Sequence, residues 1–284
     1  MKNPSAGRAV EKIPFWKMSG SGNDFILIDN RSRLLSSEGA GPFVKRVCAR
    51  GLSVGADGLI LIEPSSRADF AWHFYNADGS EAEMCGNGGR CAARFAHLNQ
   101  IVQSPRMRFE TKAGIIEAEV KADRVRVRLT DPTDFRRDLK LVLAQREYTG
   151  HYINTGVPHL VIPVDDVAFI DLQGLGREGR YHPLFAPKGT NVNFVSQSGP
   201  KTVQIRTYER GVEGETLACG TGSVAAALVL GALGKVQSPV ALMTRGGILL
   251  NVDYTRDADS FHHVYLEGDA RIVSVGEMWA EAWQ

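Results

Sequence analysis

Short apolar runs set off by glycine and aspartate mark the first part of the chain. Phe25-Ile26-Leu27-Ile28 and Leu59-Ile60-Leu61-Ile62 are each flanked by Gly and Asp, the pattern of strands buried on both faces. Residues 70–75, ending in Tyr75, form another strand-like run, and residues 42–50 read as a short helix with Pro42 near its first turn. Two longer helices are predicted over 88–98 and 222–233. The second is apolar on every face and is expected at the centre of a domain. Alternating positions over 115–120, 124–129, 248–252 and 263–266 predict antiparallel hairpin strands, and the charged stretch 130–147 reads as a crossover.

The pattern occurs twice. Cys85-Gly86-Asn87-Gly88 and Cys219-Gly220-Thr221-Gly222 each follow a strand-like run ending in Tyr (Tyr75, Tyr208) and each open one of the longer helices. Thr111-Lys112-Ala113-Gly114-Ile115 parallels Thr244-Arg245-Gly246-Gly247-Ile248. Gly55-Ala56-Asp57 before one strand parallels Gly189-Thr190-Asn191 before another, and Gly20-Ser21-Gly22-Asn23 resembles Gly156-Val157-Pro158-His159. Two copies in one order indicate a duplicated domain, not a solenoid. A cysteine at a helix N-terminus meets unpaired N–H groups and the positive end of the helix dipole, both of which favour thiolate. One such site per half suggests two thiols facing one substrate.

At 284 residues the chain suits two domains, each with its own core. The expected division is 1–130 with 268–284, carrying Cys85, and 131–267, carrying Cys219. The segment after Gly268 has no match in the repeat and is expected to return to the first domain. A net charge of +1 gives no electrostatic case for a nucleic-acid partner. Residues 1–12 lack the apolar core of a signal peptide, and the longest apolar stretch, 224–233, is too short to span a bilayer. A soluble cytoplasmic protein with no membrane partner is expected. Its four cysteines are expected to be free thiols.

Lys17-Met18-Ser19-Gly20-Ser21-Gly22-Asn23-Asp24-Phe25, Asn76-Ala77-Asp78-Gly79-Ser80, Met84-Cys85-Gly86-Asn87-Gly88-Gly89-Arg90-Cys91, Tyr208-Glu209-Arg210-Gly211 and Ala218-Cys219-Gly220-Thr221-Gly222 together resemble the diaminopimelate epimerase family. The resemblance runs from about Phe15 to the C-terminus and leaves residues 1–12 as an expected mobile extension. It implies a mixed α+β fold of two pseudo-symmetric domains, each a mixed sheet curled around a central helix, with the active site in the cleft between them. It implies a cofactor-independent and metal-free isomerase that interconverts L,L- and meso-2,6-diaminopimelate in lysine and cell-wall precursor biosynthesis. It also implies a homodimer. Cys85 and Cys219 carry over as the catalytic thiols, and His159 and Glu209 as groups that tune them. Asn23, Asn76, Asn191, Glu209 and Arg210 carry over as substrate contacts, with the backbone of Gly86, Asn87, Gly220 and Thr221.

The chemistry fits these residues. Inverting a stereocentre beside a carboxylate takes a proton from one face and delivers another to the opposite face. One thiolate and one thiol suffice. Helix-start N–H groups would bind the α-carboxylate and stabilise the enolate-like charge, and the helix end is expected to lower the thiol pKa from its ordinary value of about 8.5. Arg210 suits the distal carboxylate as a bidentate fork. Cys48 and Cys91 read as buried small hydrophobes, and Asn76-Ala77-Asp78-Gly79 taken alone is a turn. His262-His263 reads as strand alternation. Cys85 and Cys91 lack zinc-site spacing, and Gly20-Ser21-Gly22 lacks the rest of a dinucleotide fingerprint. Two positions depart from the commonest family pattern: Val157 stands where Asn is usual, and Gly58 where Gln is usual. The alternatives are a related two-cysteine racemase of histidine or proline type and, from another class, a thiol redox or metal-binding protein.

Overall fold

The computed structural model describes residues 12–37 and 39–284. The extension expected over residues 1–12 therefore lies, except for Lys12, outside the described residues. The chain divides into two compact units. One comprises the residues through Val125 together with Asp269–Gln284, the other Arg126–Gly268.

In the first unit β1 (Lys12–Gly20) and β2 (Asn23–Asp29) form an antiparallel pair. Helix α1 (Gly41–Val47) leads to β3 (Gly58–Glu63), which runs parallel to β2. β4 (Phe70–Asn76) lies antiparallel to β3 and pairs with the short β5 (Glu81–Ala82). Helix α2 (Gly86–Leu98) crosses to β6 (Arg106–Thr111), parallel to β4, and β7 (Gly114–Lys121) pairs antiparallel with β6. β8 (Arg124–Arg128) leads out of the unit.

The second unit repeats each step. β9 (Thr133–Leu143) precedes β10 (Arg146–Asn154) and β11 (Pro158–Pro163), and α3 (Leu172–Arg180) leads to β12 (Asn191–Gly199), parallel to β11. β13 (Thr202–Glu209) lies between β12 and both β14 (Gly214–Thr216) and β15 (Val240–Met243). Helix α4 (Gly220–Ala232) makes the crossover to β15, followed by β16 (Leu249–Asp257) and β17 (Ser260–Asp269). β18 (Arg271–Trp279) then pairs with β1. The fold is the duplicated, mixed α+β arrangement expected.

β2, β3, β11 and β12 are buried on both faces, which explains their unbroken apolar runs. In the second unit α4 is the central helix, with every residue from Gly222 to Ala232 buried among Val161, Val195, Ile205, Leu242, Leu250 and Val252. Burying each Val or Leu of that helix contributes about 1.5–3 kcal/mol. α2 packs against β1, β2, β3 and β7. On the other face of the first sheet α1 sets Val44 and Val47 against Ile26, Ile28, Leu59 and Leu61. α3 does the same in the second unit, with Leu172 and Leu175 against Leu160, Ile162, Val192 and Phe194.

Three expectations change. Residues 130–147 are no plain crossover but β9 and its turn into β10. The C-terminal segment does have a structural counterpart: β18 flanks β1 as β9 flanks β10. α1 ends at Val47, short of its expected limit, where the chain turns through Gly51 at φ +78°. All four cysteines are free. Among the described residues no helix is long and apolar enough to cross a membrane.

Candidate active site

Cys85 is the N-cap of α2, in extended conformation (φ −143°, ψ 116°), and its Sγ accepts the Gly88 N–H at 3.4 Å. By helix geometry the N–H groups of Gly86 and Asn87 have no intrahelical acceptor. The Asn87 amide donates to Asn23 Oδ1 at 2.8 Å, and Asn23 donates to Asp57 Oδ2 at 3.0 Å. Asp57 is held by Arg50 at 2.8 Å, and its carbonyl accepts the Ala77 N–H at 3.0 Å beside Asn76. Asn76 closes β4, exposed, with its amide 3.1 Å from Ser80 Oγ. The turn between β1 and β2 fits against α2 because Gly20 has no side chain: a Cβ there would sit 2.6 Å from the Asn87 carbonyl oxygen.

Cys219 caps α4 in the same conformation (φ −122°, ψ 112°), with Sγ 3.6 Å from Thr221 Oγ1. His159 on β11 pairs in register with Asn191 on β12. Asn191 accepts the Arg210 N–H at 2.8 Å and donates to the Pro158 carbonyl at 3.0 Å. His159 Nδ1 lies 3.2 Å from Asn193 Nδ2. That amide also donates to the Leu160 carbonyl at 2.9 Å, and its oxygen accepts the Thr207 hydroxyl at 2.9 Å. The amide orientation is thereby fixed, so Nδ1 is the acceptor and the imidazole carries its proton on Nε2. Nε2 is buried and has no hydrogen-bond partner among the described residues.

The two thiols sit in unlike fields. Burial pushes Cys85 above the ordinary thiol range, opposed by the Gly88 N–H and the Arg90 charge. Cys219, 9% exposed, is pushed up to about 11 by burial and by the Glu209 carboxylate. The helix-start N–H groups lower both thiols as expected, but loss of water outweighs them and the net shift is upward. Burial also raises Glu209 and, helped by the Arg210 charge, drops His159 to about 3, so the imidazole is neutral. Cys48 and Cys91 are buried thiols, each pushed up to about 12 by desolvation, as their reading as small hydrophobes requires.

The structure gathers Asn23, Asn76, Cys85, Gly86 and Asn87 in one unit, and His159, Asn191, Glu209, Arg210, Cys219, Gly220 and Thr221 in the other. Sequence reasoning missed Asp57, Asn193 and Arg90. Asp57 had been aligned with Asn191, but the registers Phe25↔Gly58 and His159↔Asn191 align Gly58 with Asn191. Arg90 lies within the motif over 84–91, where an arginine on the inward face of a helix signals a buried partner set. Asn193, inside an apolar strand, gave no signal.

Two copies of one layout, each with a cysteine capping its central helix, define a duplicated two-thiol protein. A sequence model of diaminopimelate epimerase matches residues 15–134 and 151–273. The chain is 48% identical over 280 residues to the diaminopimelate epimerase of Aquifex aeolicus, covering 95% of this chain and 99% of that one. It is 46% identical to the diaminopimelate epimerase of Hydrogenobaculum sp., covering 92% and 96%. Among solved structures it is similar to a phenazine biosynthesis protein of the PhzF family from Bacillus anthracis, with TM-score 0.69 and 15% identity over 95% of this chain and 99% of that one. The chain belongs to the diaminopimelate epimerase family.

Proposed function

We propose that the protein is an isomerase that interconverts L,L- and meso-2,6-diaminopimelate without cofactor or metal, with Cys85 and Cys219 as the proton-transfer pair. The observation that carries this reading is the cysteine cap repeated at the start of α2 and α4. A thiolate on one face of the α-carbon takes its proton, the electron pair passes into the α-carboxylate, and the second thiol delivers a proton to the other face. The N–H groups of Gly86 and Asn87, or of Gly220 and Thr221, without intrahelical acceptors, receive the growing negative charge. Losing one such donor typically costs about 2.7–4 kcal/mol of transition-state stabilisation. Arg210 and Asn191 hold the distal carboxylate, with Asn23 and Asn76 contacting the substrate from the first repeat. His159, neutral with a free Nε2–H, and Glu209 tune the thiols. Family resemblance supports a cytoplasmic homodimer, which sedimentation at working concentration checks.

The test is incubation of the purified protein with L,L-diaminopimelate in D2O, alongside a panel of other amino acids, without added metal or pyridoxal phosphate. The expected result is deuterium at the α-carbon and formation of the meso isomer, with diaminopimelate preferred. Preference for an amino acid lacking a distal carboxylate would replace this reading with the racemase alternative.

A further inference from the structure

The duplication lets the two thiol sites be compared position by position. The registers Leu59↔Tyr75 and Val192↔Tyr208 align Tyr75 with Tyr208, and hence Asn76 with Glu209. The offset that relates Cys85 to Cys219 takes Arg90 to Val224. One repeat thus has a cation and a neutral amide where the other has a valine and a carboxylate.

Arg90 is 0% exposed. Its Nη2 donates to Asn87 Oδ1 at 2.6 Å and Ser21 Oγ at 2.7 Å, and its Nε to the Asp269 carbonyl at 3.3 Å. Its Nη1 has no hydrogen-bond partner among the described residues. Among the described residues no carboxylate pairs with it directly. Asp269 commits Oδ1 to the N–H and hydroxyl of Ser21 and Oδ2 to Arg271 at 2.9 Å. The other charges or thiols facing Arg90 are Cys85, Cys91 and Arg124. Cys85 itself faces Arg90 and Asp57, the latter paired with Arg50, which it shares with Asp24, whereas Cys219 faces Glu209.

We propose that Arg90, tied to the first turn of α2 through Asn87 and without a direct counter-ion, is a positioning residue that makes Cys85, and not Cys219, the thiol of the pair that ionises first. A carboxylate or neutral group at its place would not do the same, because only a buried cation favours negative charge at Cys85. The inference rests on the two-thiol reading above. Turnover with Cys85 as base breaks the substrate C–H bond, forms S–H at Cys85 and transfers the Cys219 proton to the opposite face. Cys219 is left as thiolate, and the pair returns to rest by exchanging protons with solvent. The two directions of epimerisation therefore draw on unequal populations of the enzyme.

The test is pH-dependent alkylation by iodoacetamide, with each cysteine peptide quantified by mass spectrometry and each rate scaled to its own plateau. In wild-type protein Cys85 should reach half-maximal reactivity at lower pH than Cys219, by about one unit or more. Arg90→Gln should raise the Cys85 midpoint by a similar amount and leave that of Cys219 in place. Arg90→Lys should restore it. Asp269→Asn, which removes the carboxylate that faces Arg90, should lower it. Equal or reversed midpoints in the wild type overturn the proposal even where Arg90→Gln does not fold, as does an unmoved Cys85 midpoint in folded Arg90→Gln. A protein with the ordered titration but inert toward diaminopimelate would overturn the functional reading and leave this one standing.

Discussion

Cys85 and Cys219 are the same chemical group in two environments, and one cannot cover both faces of a carbon. Cys85→Ala and Cys219→Ala should each lower epimerisation by at least about three orders of magnitude, with circular dichroism unchanged; near wild-type turnover in either variant would refute the two-thiol assignment. Arg210→Ala should leave the distal carboxylate poorly paired, at a cost of several kcal/mol. Turnover of diaminopimelate should then fall by orders of magnitude, whereas Val157→Asn should be nearly neutral because Asn76, Asn191 and Arg210 remain. Steady-state kinetics on both variants separates them. His159 makes a separate prediction about stability. Its folded pKa of about 3 lies below the ordinary 6.5, so between these values the unfolded chain binds a proton that the folded protein does not. Its contribution is complete above pH 6.5 and is lost as pH falls toward 3, with a slope of at most about 1.4 kcal/mol per pH unit. His151, also lowered by burial, adds in the same direction. Urea midpoints measured against pH should fall less steeply on the acid side for His159→Gln than for wild type.

At the scale of elements, the two helix starts look alike but tolerate change differently. A Cβ on Gly88 would meet side-chain carbons only slightly too close, Ile60 Cδ1 at 3.3 Å and the Trp72 ring at 3.4 Å. On the equivalent Gly222 it would press on Asn193 Oδ1, which is fixed by three hydrogen bonds through its amide, and lie 3.2 Å from Cys219 Sγ. Gly88→Ala should therefore keep activity within a few-fold, while Gly222→Ala loses about 1–3 kcal/mol of stability from overpacking and at least tenfold in kcat. Thermal melts and kinetics on the pair decide this, and equal tolerance would remove Asn193 from the site. The helices themselves were legible in the sequence because α4 is apolar on every face and both cysteine motifs announce their caps. β9 and β18 were not. In β18 the apolar residues Ile272, Val273, Val275 and Trp279 are exposed and do not alternate, and in β9 the charged run Arg136-Arg137-Asp138 masks the strand that Leu139, Leu141 and Leu143 continue. Their existence is written in the partners, β10 and β1. The site divides the same way: side chains inside long motifs were readable, whereas Arg90 acquires its surroundings from Ser21 and Asp269, far away in sequence.

At the scale of the whole molecule, the two repeats are permuted relative to each other. The second unit receives its flanking strand, β9, before its own core strands, but the first receives β18 only after the second unit is complete. The first unit therefore depends on the last residues of the chain. β18 pairs with β1 from Lys12↔Trp279 to Ser19↔Arg271, Met278 is 3% exposed in the α1-side core, and Asp269 holds both the N–H and the hydroxyl of Ser21. Losing Met278 alone removes about 1.5–3 kcal/mol of burial, and the bare edge of β1 would add unpaired backbone groups. Truncation after Gly268 should consequently destabilise the first unit by several kcal/mol and leave the second unit's core, built around α4, largely intact. Hydrogen exchange resolved by peptide checks this. Protection should collapse in peptides from β1, β2 and α2 and persist in those from β12, β13 and α4. Equal loss in both units would mean that they unfold as one, and full retention in the first would mean that β18 is dispensable to it.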